Sequence, residues 1–490
     1  MKKIQINWFN GKNEKVKVNE SRPGNLRRNT ALFGAAAAGL LLAAQPAHAG
    51  SIFVIAMENH NLTQPNPTSN PQQILGNPAA PYINSLMTPG NSNAVQTAWA
   101  QVYFNAGIGV HPSEPNYVWA EAGSDFGVHT DADPRDANGN TFYDQSNHLT
   151  AQFNAAGISW KNYQEDVQLS VSPTNSASGT NGPVNPYYGT MQYNYAVKHN
   201  PMAFFADTAA QNVFPLAQLL ADLGTQSVGA YNWITPNQFN DAHSVLTGGF
   251  TYQGVHYTGD QAAIAQGDNF LSQIVPQIMA SQAYQDNGAI IIWWDETENG
   301  DRTNRTIPEI VISPLAKGNA YASSVVMSHS SDIKTMEEIF GLSFLNNPIP
   351  TSETTATGTG YNNVATVNDL SDLFVDDVIP TYSLEAIVQV NNVNPHGKGH
   401  DIVRIQNTGS VPVPGPLYLV LDNLSSNATL ENAAGTTTVL APLGSPYVQV
   451  NLDGNSLAPG DSAVVQLDFT DPSLRPVSYT TRVLPVTPTP

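Results

Sequence analysis

Cysteine is absent from all 490 residues. That excludes disulfides and thiolate ligands, so any metal must sit on oxygen and imidazole donors. Basic residues are scarce: 19 Lys and Arg stand against 39 Asp and Glu, a net charge of −20. A field of that sign repels nucleic acid and anionic lipid, and no Lys/Arg run could track a phosphate backbone. No nucleic-acid partner is expected. Long apolar runs are missing too. The longest, Ala31 to Ala44, falls short of the roughly 20 residues needed to span a bilayer, so stable membrane insertion is not expected. No internal repeat is found.

The first 49 residues have the order of an export signal. Arg27 and Arg28 close a basic stretch, the apolar run follows, and Ala47-His48-Ala49 precedes Gly50 as a small-residue cleavage site. The paired arginines raise a twin-arginine route as one option. Export to the periplasm or the exterior is expected. Removing residues 1–49 leaves 11 basic against 37 acidic residues, so the mature chain is more acidic still. With 41% hydrophobic residues, 37 Gly and 35 Pro, the remainder reads as loop-rich and globular. Its length allows two domains.

Apolar patterning supplies the architecture. Ile52 to Ala56 is a continuous apolar run that stops at Met57-Glu58-Asn59-His60, the pattern of a buried parallel strand delivering polar groups at its carboxyl end. The design recurs where Ala289 to Trp294 runs into Asp295-Glu296, after a helical pattern over about Gln261 to Ala283. Further pulses at Val228 to Ile234 and Ile310 to Ile312, with a helix at about Asp332 to Phe340, predict an α/β domain over 50–380: a mostly parallel sheet with helices on both faces. Residues 170–185 and 351–363 read as surface loops. After Pro380, short alternating segments such as Leu417 to Leu421 and Ala463 to Leu467 predict a β-sandwich of seven or eight strands over 381–490.

Four clusters carry chemistry: Glu58-Asn59, His111 to Tyr117 (HPSEPNY), Asn240 to Ser244 (NDAHS) and Asp295-Glu296, with His329 behind them. Parallel sheets gather strand ends at one rim, so acids more than 200 residues apart should meet there. Each cluster alone has a plainer explanation, a turn or a helix cap. Yet adjacent carboxyl groups at the end of an apolar strand repel unless a cation offsets them. Ser113 precedes an early acid and proline, as at the first turn of a helix. It is either a simple N-cap, or a hydroxyl placed where free N–H groups and the helix dipole stabilise a phosphate.

These blocks, together with VIAMENHN around Glu58, WKNYQED from Trp160, KHNP from Lys198, ITPNQFNDAHS from Ile234 and SHSSDIKTMEEIFGL from Ser328, resemble the phosphoesterase family of acid phosphatases and nonspecific phospholipases C. That family lies within the alkaline-phosphatase-like superfamily. The resemblance covers about residues 52–375. It implies that Ser113 is a nucleophile forming a phosphoseryl intermediate. It also implies that Glu58, Asn59, Ser113, Asp295 and Glu296 surround a divalent metal ion, and that His111, Asn116, His199, Asp241, His243 and His329 contact phosphate. Alternatively Asp241 and His243 hold a second metal. Two departures stand out: His60-Asn61 follows Glu58-Asn59 where Arg-Ser or a similar pair is common, and Asp295-Glu296 opens a long acidic loop, Thr297 to Asp301.

The implied substrate is a small phosphate ester, with monoesters preferred over the diesters of a phospholipase C. If the four histidines act as cations, activity should be higher below about pH 6.5. A sulfatase is excluded because Tyr117 stands where the S-x-P-x-R context needs arginine. An inactive exported binding protein is the other class of reading, and the retention of every proposed ligand argues against it. The sandwich's ligand is unreadable, and His129, His148 and His256 read as ordinary loop or core histidines.

Overall fold

The computed structural model describes residues 50–70, 72–106, 110–131, 147–167, 169, 195–302, 304–347, 364, 367–375, 384–393, 398–408, 412–437, 444–452, 454, 456–470 and 477–484. The leader 1–49, both expected loops (170–185 and 351–363) and the 380/381 boundary lie outside the described residues. In chain order the elements of the first part begin β1 (Ile52–Met57), α1 (Pro81–Leu86), β2 (Thr97–Phe104), α2 (Ser113–Ala122), α3 (Leu149–Ala156) and β3 (Trp160–Gln164). Next come β4 (Val213–Pro215), α4 (Leu216–Thr225), β5 (Tyr231–Thr235), the hairpin β6 (Phe250–Tyr252) and β7 (Val255–Tyr257), and α5 (Asp260–Met279). The part closes with α6 (Gln282–Gln285), β8 (Ala289–Trp294), β9 (Glu309–Ile312), β10 (Tyr321–Ser328) and α7 (His329–Phe340).

Eight of these strands form one sheet in the order β10-β2-β9-β8-β1-β5-β3-β4. Every pairing is parallel except those of β9, which runs against both β2 and β8. Seven strands therefore point the same way and deliver their carboxyl ends to one rim. Every residue of β1, β5, β8 and β9 is buried, as a sheet covered on both faces requires. That is why these four strands were legible as apolar runs. The short pulse at Ile310 to Ile312 gave no hint of its reversed direction. β10 escaped the reading because it is an edge strand with Tyr321, Ser324 and Val326 exposed and no regular period.

The β1–β8 pair sets the site. Its parallel register runs from Ile52 opposite Ala289 to Met57 opposite Trp294, so Glu58 and Asp295 emerge side by side. The Asp295 N–H donates to Met57 O at 3.2 Å, carrying the ladder one step beyond the strand.

The expected helix over 261–283 divides into α5 and α6, with Pro276 inside α5. The helix expected from Asp332 begins three residues earlier, at an N-cap on Ser328 whose backbone N–H donates to Ser331 Oγ at 2.9 Å. That moves His329 from a loop to the first helical position.

The second part contains β11 (Leu384–Val393), β12 (Lys398–Asn407), β13 (Val413–Pro414), β14 (Leu417–Asp422) and β15 (Thr429–Leu430). β16 (Gly435–Thr436), β17 (Pro446–Val450), β18 (Ser456–Leu457), β19 (Ser462–Thr470) and β20 (Thr480–Leu484) complete it. Two four-stranded antiparallel sheets, β11-β12-β19-β15 and β16-β17-β14-β20, enclose a core that includes Val403, Ile405, Leu419, Leu421, Val448 and Leu467. Alternation along β14 explains its burial on both sides. Leu419 and Leu421 face that core, while Tyr418 and Val420 join the hydrophobic cluster of the α/β part.

Candidate active site

The rim of the large sheet gathers the polar clusters. Glu58 and Asn59 follow β1, Ser113 opens α2 beyond the end of β2, Asp241 lies past β5, and Asp295-Glu296 follow β8. Glu58, Ser113, Asp241, Asp295 and Glu296 are all buried. The backbone N–H of Glu58 donates to Asp241 O at 2.9 Å, tying the β5 loop to the β1 end. That loop is braced by Glu165, whose carboxylate accepts from Asn237 N at 2.8 Å and Asn240 Nδ2 at 2.9 Å.

Ser113 is no simple cap. The N-cap of α2 is Pro112, which makes no side-chain capping bond, and Ser113 Oγ donates to Glu58 Oε2 at 2.9 Å instead. Asn59 Oδ1 lies 3.5 Å from the same hydroxyl, and Asn59 Nδ2 donates to Glu296 Oε1 at 2.8 Å. Two chain segments thus meet at the serine oxygen, and Asn59 links a third, through Glu296, to them.

Glu296 is the best-satisfied acid of the group. Besides Asn59, it is paired closely with His111 Nδ1 and accepts from Asn116 Nδ2 at 3.2 Å. Asp295 is the opposite case. Neither of its oxygens has a hydrogen-bond partner although the side chain is fully buried. Burial, reinforced by the charges of Glu58 and Glu296, pushes its carboxyl well above the usual range. Burial also works against charge on Glu58, but His199, Lys198 and His243 outweigh it and hold Glu58 below the usual range.

The five expected metal-site residues are brought together, though less tightly on the acid side than anticipated. Glu58, Asp295 and Glu296 do not each present an oxygen within 4.8 Å of the other two, and Glu296 is engaged by His111, Asn116 and Asn59. Asp295 with its two unpartnered oxygens, Glu58 Oε1, Asn59 Oδ1 and Ser113 Oγ are the donors available to a cation.

The four histidines have different surroundings. His199 Nε2 is 3.0 Å from Glu58 Oε1 and its Nδ1 3.6 Å from Asp241 Oδ2, with its ring stacked on Tyr117 at 5.0 Å. His111 bridges Glu296 and Asp301, the latter at 3.1 Å. Burial lowers the pKa of that ring, but its bonds to Asp301 and Glu296 win and raise it to about 10. His243 is exposed at the rim, and its backbone N–H donates to Asp241 Oδ1 at 2.9 Å. His329 differs from the expectation. It is fully buried, Nε2 lies 3.0 Å from Trp294 O, and its ring packs on Trp293 at 4.5 Å. Burial lowers its pKa to about 3, so it is neutral at the pH where a phosphate would need a cation.

The expectation that all four histidines gain charge below about pH 6.5 is therefore corrected: His111 is charged well above that pH and His329 is not charged near it. The unfolded chain protonates His329 near pH 6.5 whereas the fold resists protonation until about 3. The stability this gives is present above about pH 6.5 and lost as pH falls towards 3. The melting temperature of His329→Gln, which keeps a donor towards Trp294 O, should therefore fall less between about pH 7 and pH 4 than that of the parent. Equal slopes in the two melting series would contradict the assignment.

Sequence reading missed three residues of the site. Lys198 lies close enough to Glu58 and Asp295 to be driven further towards its charged form, and Nζ holds Asp131 at 2.9 Å. Asp301 partners His111, and Tyr117 supports His199. Lys198 was within reach, as the one strong cation in the KHNP block.

Gly267 of α5 also matters. A Cβ there would meet Ala242 Cβ at 2.7 Å and Met57 Cε at 3.0 Å, the neighbours of Asp241 and Glu58. Gly→Ala inside a helix ordinarily gains about 1 kcal/mol, but overpacking costs about 1–3 kcal/mol. Gly267→Ala should therefore lower the melting temperature and, by displacing both acids, reduce kcat about tenfold or more. Unchanged kinetics would show that the α5 contact does not position the rim.

Residues 91–343, more than half of the chain, match the family model described as the Phosphoesterase family. The chain belongs to the Phosphoesterase family. It is thus a hydrolase of phosphoric esters. A phosphatidylinositol-3-phosphatase of Mycobacterium tuberculosis is 26% identical over 55% of this chain and 72% of its own length. A phosphate-repressible acid phosphatase of Penicillium chrysogenum is 24% identical over 47% of this chain and 50% of its own. Among solved structures, a protein in the alkaline phosphatase superfamily from Vibrio parahaemolyticus is 9% identical, with a TM-score of 0.37 over 73% of this chain and 77% of that one. The matched span of the Phosphoesterase family includes Ser113, His199, Asp241, Asp295, Glu296 and His329, and Glu58 joins it through the β1–β8 pairing.

Proposed function

We propose that the chain is an exported, metal-assisted phosphatase that hydrolyses phosphate monoesters through a phosphoseryl intermediate on Ser113. The observation that carries this is the buried Ser113 hydroxyl donating to Glu58 Oε2 at 2.9 Å, beside an Asp295 whose oxygens have no partner. Unpaired buried carboxylate is costly, and an oxygen-rich set without cysteine suits a divalent cation. Asp295, Glu58, Asn59 and Ser113 would hold it, with Glu296 able to join by turning from His111. Such an ion, when bound, would lower the serine hydroxyl's pKa and offset phosphate charge.

The chain's own residues supply the rest. Glu58 is placed to accept the Ser113 proton as Oγ forms its bond to phosphorus and the ester oxygen departs with its electron pair. Water then attacks phosphorus, the Ser113–phosphorus bond breaks, Oγ takes back the proton held on Glu58, and the water's protons end on the departed alcohol and the released phosphate. His111 and Lys198 bring positive charge to a rim that is otherwise acidic, where a phosphate would be repelled. His199, held between Glu58, Asp241 and the Tyr117 ring, fixes the Glu58 carboxylate. The relatives named as phosphatases support the monoester preference, and the leader over 1–49 supports export.

Turnover of p-nitrophenyl phosphate and of bis-p-nitrophenyl phosphate, measured before and after chelation, tests the proposal. Monoester hydrolysis should dominate, fall on chelation and return with divalent metal. Faster diester turnover would move the assignment to a phosphodiesterase of the phospholipase C type, and full activity after complete metal removal would end the metal-assisted reading.

A further inference from the structure

The two places where the sequence departs from its family's pattern, His60 after Glu58-Asn59 and the acidic loop after Asp295-Glu296, converge in space. His60, Asp260 and Glu298 each bring a donor atom within 4.8 Å of the other two. His60 Nε2 is 3.2 Å from Asp260 Oδ1, a usual separation for neighbouring ligands of one ion. His60 is 1% exposed, and its Nδ1, like Glu298 Oε2, is buried without a hydrogen-bond partner.

The surrounding bonds pin the three residues. Asp260 Oδ2 accepts from Gln72 N at 2.6 Å. Asn61 takes the Glu298 N–H on Oδ1 at 3.1 Å and donates from Nδ2 to Glu298 O at 3.2 Å. The loops after β1 and β8 are thereby clamped to each other and to the start of α5.

We propose that His60, Asp260 and Glu298 form a second divalent-cation site, distinct from the one proposed around Ser113. One imidazole and two carboxylates, with no cysteine, favour zinc or manganese over calcium or magnesium, which prefer oxygen alone. Water would complete the coordination. The ion cross-links the two loops that carry Glu58, Asn59, Asp295 and Glu296 to α5, whose Gly267 packs under Ala242 and Met57. Its role is to hold the rim rather than to touch the substrate. The site does not depend on the catalytic metal being correctly assigned.

The test uses the full chain, stripped by chelation and dialysed against zinc, with bound zinc per chain measured by elemental analysis. Asp260→Asn combined with Glu298→Gln should bind about one ion fewer than the parent, and its melting temperature should rise less with added zinc than the parent's does. Asp295→Asn should lose the other ion, and the three substitutions together both. If the double variant keeps the parent's zinc content, the proposal is overturned. If Asp295→Asn keeps all its zinc while the double variant loses an ion, the second site stands and the catalytic-metal reading falls. Should the double variant not fold, X-ray absorption of cobalt bound to Asp295→Asn decides: an imidazole ligand supports the site, and an oxygen-only shell or no bound cobalt overturns it.

Discussion

Replacing Ser113 by alanine is expected to lower kcat for p-nitrophenyl phosphate by about 10⁴-fold or more, since losing a nucleophile removes the covalent route altogether. The fold should survive. Ser113 caps no helix, its one strong bond is to Glu58 at 2.9 Å, and alanine is well tolerated in a first helical turn. Glu58 would lose one donor but keep His199 at 3.0 Å. The expected signature is a large loss in kcat with a melting temperature close to the parent's. Activity within about tenfold of the parent would mean that another group attacks phosphorus.

Asp295→Asn is expected to move activity and stability in opposite directions. In the metal-free protein Asp295 is a fully buried carboxyl with no hydrogen-bond partner, flanked by Glu58 and Glu296. Folding must either desolvate that charge or protonate it, and both cost stability. The isosteric amide carries no charge, so the metal-free variant should melt higher than the metal-free parent. It should also gain less stabilisation than the parent on addition of metal, because the ligand that most lacks a partner is gone while the site on His60, Asp260 and Glu298 remains. Its kcat should fall about 10²-fold or more. A structural carboxylate at this position would instead leave the variant less stable under both conditions. This is the pattern of a site that gives up stability for function.

Where strands are buried on both faces, the amino-acid order was enough. The runs of β1 and β8 are apolar throughout and those of β5 and β9 mostly so, and the polar residues ending β1 and β8 mark the rim where they lie. The β-sandwich was legible through alternation, as in β19, and through short apolar runs, as in β14. Edge elements were not: β10 and β4 carry polar or half-exposed residues, so their strand character comes from the neighbours they pair with. The antiparallel direction of β9 is likewise a property of the chain's route between β8 and β10, on which the short run Glu309–Ile312 is silent.

The site divides along the same line. Glu58, Ser113, Asp295 and Glu296 follow directly from strand ends and a helix start. Their electrostatic characters do not, because these depend on partners distant in sequence. His111 and His329 look alike in the chain, yet Asp301 and Glu296 raise one to about 10 and burial lowers the other to about 3. Lys198 is unremarkable as a lone lysine until folding brings it close to Glu58.

The most direct test is to trap the reaction. The protein is mixed with p-nitrophenyl phosphate, quenched in acid within a turnover, and digested for mass spectrometry. One phosphoryl group on the peptide containing Ser113, absent from Ser113→Ala and discharged when the quench is delayed past substrate exhaustion, is the predicted result. Steady hydrolysis with no phosphorylated peptide at any quench time, or with the phosphoryl group on a different residue, would contradict the assignment of Ser113 as nucleophile.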